Sequence, residues 1–93
     1  MARVTLPIQT YLLPNGAAND NGYITIRLNK DGNASGNQIT SNFATVSLDI
    51  SGTVVGSPMV YQNSSIEPSG TYYIINVYSA NGQLISGPNL QNV

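Results

Sequence analysis

Gly, Asn, Ser and Pro interrupt this chain roughly every eight to twelve residues, and no stretch between them carries a helical period. An amphipathic helix has no room to form under that rhythm, whereas strands of four to eight residues fit between the breaks. The clearest of them is Tyr23-Ile24-Thr25-Ile26-Arg27-Leu28. There Ile24, Ile26 and Leu28 point to one face, and Tyr23, Thr25 and Arg27 to the other. Thr71 to Tyr78 repeats the pattern, with Tyr73, Ile75 and Val77 as core and Tyr72, Ile74, Asn76 and Tyr78 opposite. Asn81-Gly82 then separates it from Gln83-Leu84-Ile85, which reads as a hairpin because both turn residues tolerate positive φ.

The remaining segments are less regular. Val4 to Leu13 is apolar on both faces in places, and Pro7 removes a ladder donor, so it reads as an edge strand or an arm. Residues 14–22 form a turn cluster. Residues 29–37 read as a long, polar, mobile loop. Phe43 to Ile50 alternates, with Ala44, Val46, Leu48 and Ile50 expected inward. Thr53 to Tyr61 carries Gly56 and Pro58, the marks of a bulge or an edge, and residues 63–70 make a further turn. The tail, Gly87 to Val93, is too irregular to read as a strand. The expectation is an all-β fold, a single small β-sandwich of about six to seven antiparallel strands. Its organisation reads as an arm or edge strand over 1–13, a core over 14–86 and a C-terminal tail over 87–93.

Composition narrows the chemistry. Ninety-three residues suit one domain that buries roughly 60–68% of its unfolded surface. There is neither cysteine nor histidine, so a thiolate metal site, a disulfide and the usual general base near neutral pH are all missing. A serine nucleophile would have Lys30 alone as its base. Each of the four acids, Asp20, Asp31, Asp49 and Glu67, has a turn or an outward strand position to explain it. Asn29-Lys30-Asp31-Gly32-Asn33 opens like a calcium loop, yet Thr40 stands where the twelfth-position acid belongs. The expectation is therefore no enzyme, no metal and no cofactor.

Three bases, Arg3, Arg27 and Lys30, are too few to grip a phosphate backbone, which argues against nucleic acid. The N-terminal residues lack the apolar core of a signal peptide, and no apolar run approaches the ~20 residues of a membrane span. The chain thus reads as a product made in the cytoplasm, with no membrane partner. Its surface is polar but nearly uncharged, so copies repel one another little. On that surface the arm residues Val4, Leu6, Ile8, Tyr11, Leu12 and Leu13 have no charged gatekeeper, and the tail adds Leu90 and Val93. Two uses fit the arm: the first strand of the sandwich, or a segment that docks on a neighbouring copy. Six tyrosines, Tyr11, Tyr23, Tyr61, Tyr72, Tyr73 and Tyr78, also leave open a stacking platform for sugars.

The segment "PSGTYYIINVYSANGQLI" resembles a short domain of tailed-phage virion proteins, in which a Gly-Thr-Tyr-Tyr strand leads into Ala-Asn-Gly. "GYITIRLN" and "VSLDISGTVVGSPMVYQNSSIEPSG" are similar to its opening and middle, so the likeness spans roughly Gly22 to Ile85. Gly-Thr-Tyr before an Asn-Gly hairpin is shared with fibronectin- and transthyretin-like sandwiches, and the fold class expected is of the Ig, fibronectin or transthyretin-like kind. The resemblance implies a non-enzymatic β-sandwich displayed on a bacteriophage particle, as capsid decoration or as a head or tail module. It further implies a virion localisation, and partners that are other virion proteins or further copies of itself. A carbohydrate- or receptor-binding module, or an extracellular filament subunit, are the alternatives.

Overall fold

The computed structural model describes residues 3–93, which form eight strands and one short 3-10 helix, Asn63–Ser65. The strands are β1 (Val4–Thr5), β2 (Tyr23–Leu28), β3 (Gly32–Ala34), β4 (Asn37–Ile39), β5 (Ala44–Ser47), β6 (Met59–Val60), β7 (Tyr73–Tyr78) and β8 (Leu84–Gln91). Four of them make the main antiparallel sheet in the order β5-β2-β7-β8. Its register aligns Val46, Ile24 and Val77 in one row and Ala44, Ile26, Ile75 and Asn89 in the next. Residues opposite one another share a face, so the alternation of β2 and β7 gives the sheet one apolar side. Ile24 and Ile75 are 0% exposed, because β2 and β7 are the two central strands and are flanked on both edges.

A second layer covers that side, and residues 4–11 belong to it. Val4 and Thr5 pair with Val60 and Met59, and Thr10 bridges Thr53. Between these contacts Tyr11 N donates to Gly52 O at 2.9 Å, and Val54 N donates to Gln9 O at 2.8 Å. Leu6, Tyr11, Leu48, Val54 and Ile66 thereby close the core over Ile24, Leu28, Ile75 and Val77. The molecule measures 40 × 21 × 18 Å, and the shorter extents match two layers about 10 Å apart with outward side chains added. This is a small all-β sandwich with one full sheet and one layer of shorter pieces.

Several local expectations change. Residues 29–37 are not an open loop, because β3 and β4 pair across Ser35-Gly36. Positive φ at both turn residues, 51° and 79°, matches the right-handed twist of a two-residue hairpin. The hairpin is tied down by Asn33 and Glu67, which exchange backbone hydrogen bonds of 2.7 and 2.9 Å, and it buries Ala34. The inward set expected over Phe43 to Ile50 holds only in part. Leu48 is buried and Val46 half-buried, but Ala44 is exposed and Ile50 is 74% exposed. Ala44 sits on the open edge strand β5. Ile50 falls in a turn where Asp49 Oδ1 accepts from Ser51 N at 2.8 Å and from Thr53 N at 3.1 Å.

The Asn81-Gly82 hairpin is present, in a different turn from the one its sequence suggests. Only Gly82 has positive φ, 86°. Ser79 N donates to Gln83 O and Gly82 N to Ser79 O, the pattern of a type I turn closed by a left-handed residue. The tail is no irregular end either: β8 runs through Gly87-Pro88 to Gln91, with register shifts against β7 between Ile75 and Tyr78. β8 crosses the boundary placed at 86/87, and Leu6 and Tyr11 from residues 1–13 lie in the core.

Two tyrosines of the core give the fold a pH dependence. Burial raises the Tyr11 and Tyr73 hydroxyls above their ordinary value of 10.0. Tyr11 donates to Ile8 O at 3.2 Å, and Tyr73 to Tyr61 O at 2.8 Å. The unfolded chain releases these protons first, so stability is full below the ordinary tyrosine value and falls as pH rises through and beyond it. Melting temperatures taken across that range are expected to drop on the alkaline side, and Tyr11→Phe is expected to flatten the drop.

Candidate functional site

The segment that follows β1 explains how the ends of the chain meet. After Thr5 it bends at Pro7, loses its ladder, and is held again from Gln9 to Tyr11 by residues 52–54. That course turns Leu6 and Tyr11 inward, to 2% and 8% exposure, and leaves Ile8 and Leu12 on the outside at 44% and 53%. Val4 is half-buried in its pairing with Val60. Leu13, also half-buried, donates its N–H to Ala17 O at 2.8 Å.

At the other end, Leu90 pairs with Ile74 on β7 and is 63% exposed. Val93 behaves differently. It packs against the core, its N–H donates to Asn63 Oδ1 at 2.7 Å, and its carbonyl accepts from Asn63 N at 2.8 Å. Asn63 is itself buried, with Nδ2 donating to Thr71 Oγ1 at 3.1 Å. Of the eight residues singled out for docking, then, Ile8, Leu12 and Leu90 are exposed, while Leu6, Tyr11 and Val93 serve the chain's own fold.

The three exposed ones border a common feature. A groove of about 550 Å³ runs between residues 8–12 and β8, with Ile8, Leu12, Pro88, Leu90 and Gln91 along it and Tyr11 at its base. None of its ten lining residues is charged. Gln91 Oε1 is buried beneath the surface without a hydrogen-bond donor among the described residues. A buried acceptor left unpaired costs about 1–3 kcal/mol, a local cost within this fold. β8 is also a sheet edge, paired among the described residues with β7 alone, and its eight residues LISGPNLQ carry no charge. Pro88 has no N–H and interrupts strand addition there. Docking at this edge therefore relies on apolar side chains flanking the break rather than on one continuous ladder.

Several polar side chains elsewhere are spent on structure. Asn29 Oδ1 accepts from Tyr72 N at 3.0 Å, Asn19 Nδ2 donates to Tyr78 O at 3.0 Å, and Asp31 Oδ1 accepts from Ser41 N at 2.7 Å. Asp31 thus holds a loop with the oxygen that a calcium reading would offer to the ion. Among the described residues no three His, Cys, Asp or Glu side chains gather into a metal-binding group. No helix among them is long and apolar enough to cross a membrane.

Pro88, Asn89 and Gln91 do not stand out in the sequence as groove residues, since the tail they belong to is too irregular to read as a strand. Their only signal was the apolar Leu90 among polar neighbours. No family model matches this chain, and no curated protein and no solved structure matches it either.

Proposed function

We propose that this chain is a non-enzymatic structural protein whose copies dock on one another through the groove between residues 8–12 and β8. One observation carries the reading: Ile8, Leu12 and Leu90, exposed aliphatic residues from opposite ends of the chain, border a single uncharged groove. An isolated domain gains nothing from leaving them in water. Burying each contributes about 25 cal/mol per Å² of apolar surface removed. A net charge of -1 places little repulsion between copies.

The particle these copies decorate is a tailed-phage virion. That step rests on the likeness of residues 22–85 to virion domains, with the chain acting as a capsid-decorating or head/tail connector component. A stable contact takes about 800 Å² from each partner, roughly a seventh of the 5354 Å² surface of this chain. The groove must then be joined by the rest of the β8 edge. The absence of native cysteine makes a direct test simple. Leu12→Cys and Leu90→Cys chains, mixed and mildly oxidised, are expected to form covalent dimers much faster than Lys30→Cys chains. Equal rates for the two sets would contradict docking at this edge.

A further inference from the structure

A second groove, of about 560 Å³, lies on the outward face of the main sheet, away from the core and from the β8 edge. Register explains its shape. Thr25 pairs with Thr45, and Tyr23 stands between Ser47 on β5 and Tyr78 on β7. The short residues Thr25, Thr45 and Ser47 make a floor of hydroxyls, and Thr45 and Ser47 are exposed. The Tyr23 and Tyr78 rings stack on each other at 4.9 Å and 16°, and together they border the floor on one side. Phe43, 66% exposed just before β5, is the third aromatic of the groove.

Phe43 is the only phenylalanine of the chain, and it is one of the most exposed large apolar residues. None of the eight residues lining this groove carries a charge at neutral pH. The geometry points to a binding site for a neutral glycan, one or two sugar units long, with a sugar face against the aromatic side chains and its hydroxyls on Thr25, Thr45 and Ser47. Each part of the lining answers to that chemistry. A pyranose offers an apolar C–H face that packs on an aromatic ring, and a rim of hydroxyls that both donate and accept. A phosphorylated or sulfated ligand would bring charge to a groove with no cation in its lining. A proline-rich peptide is the competing occupant of an aromatic-lined groove; the hydroxyls of Thr25, Thr45 and Ser47 favour the sugar, and decaproline tests the choice.

This site is independent of the docking groove, so either can fail without the other. Tyr23 ties β2 to β7 through its stack, so the variants of choice are Phe43→Ala in the loop and Thr45→Val on the edge strand, whose side chains lie outside the core. The experiment is a titration of the full ¹⁵N-labelled chain, followed by its amide spectrum. The probes are neutral oligosaccharides of glucose, galactose, mannose and N-acetylhexosamines, each up to about 10 mM, an upper bound for weak millimolar binding. Sialyllactose and decaproline serve as comparisons.

The expected result is that at least one neutral sugar shifts the amides of residues 21–25 and 43–47. Phe43→Ala should weaken that binding by about fivefold while the spectrum elsewhere stays that of the native fold. Thr45→Val should also weaken it. The proposal is overturned if no neutral sugar shifts these amides. It is equally overturned if the shifts survive both variants unchanged, or if decaproline or sialyllactose binds this face more tightly than every neutral sugar.

Discussion

Ile75→Asp is expected to leave the chain unfolded. Ile75 is 0% exposed at the middle of β7, opposite Ile26 on one side and Asn89 on the other. Removing the aliphatic side chain alone costs about 2–5 kcal/mol. The carboxylate adds the penalty of a buried charge for which no cation is placed, and neutralising it still leaves a polar group in an apolar row. A domain of this size has about 5–14 kcal/mol of stability to lose. The two costs together reach that range. Far-ultraviolet circular dichroism and amide dispersion are expected to be those of an unfolded chain, whereas Ile75→Val should cost only about 1 kcal/mol and keep the fold. A folded Ile75→Asp chain would mean that the β2–β7 rows are not the core.

The second large effect separates two leucines six positions apart. Leu6 is 2% exposed and packs in the core, so Leu6→Ala is expected to lose about 2–5 kcal/mol of stability. Leu12 is 53% exposed at the docking groove, so Leu12→Asp is expected to change stability by only about 0.5 kcal/mol. Self-association should respond in the opposite sense. A charge inserted at an apolar contact leaves an unpaired carboxylate when copies meet, so Leu12→Asp should abolish docking. Chemical denaturation read beside mass in solution distinguishes the two. If Leu12→Asp unfolds the chain, or docks as the parent does, the division of labour drawn for residues 1–13 fails.

How far the fold could be read in advance depended on where each strand sits. Ile24, Ile26, Leu28, Tyr73, Ile75 and Val77 were legible because β2 and β7 are central strands, where a period of two translates directly into burial. Parity fails as soon as the ladder stops. Leu6 and Tyr11 are five residues apart and would face opposite ways in one strand, yet both are buried because the chain bends between them. Ile50 keeps the parity of Leu48 but sits beyond the point where Asp49 folds the chain into its turn. Gly87-Pro88 reads as an end of structure, but register with β7 carries β8 across it.

The docking surface was legible as residues and not as a place. Ile8, Leu12 and Leu90 stood out as apolar positions without charged neighbours. Nothing local says that residues about 80 positions apart share a groove. The place of Val93 in the fold was out of local view for a similar reason, since its partner Asn63 lies thirty residues away. The outward groove around Phe43 needed the β2–β5 register, which only the folded sheet defines.

The central claim, that copies of this chain dock through the groove between residues 8–12 and β8, is tested most directly by mass in solution measured over a wide concentration range. For the parent chain the mean mass is expected to rise above the 9.8 kDa of one copy as concentration increases. The Leu12→Asp and Leu90→Asp chains, folded by their amide spectra, are expected to stay at one copy throughout. A parent chain that remains at one copy at every concentration, or variants that associate as readily as the parent, would contradict the account.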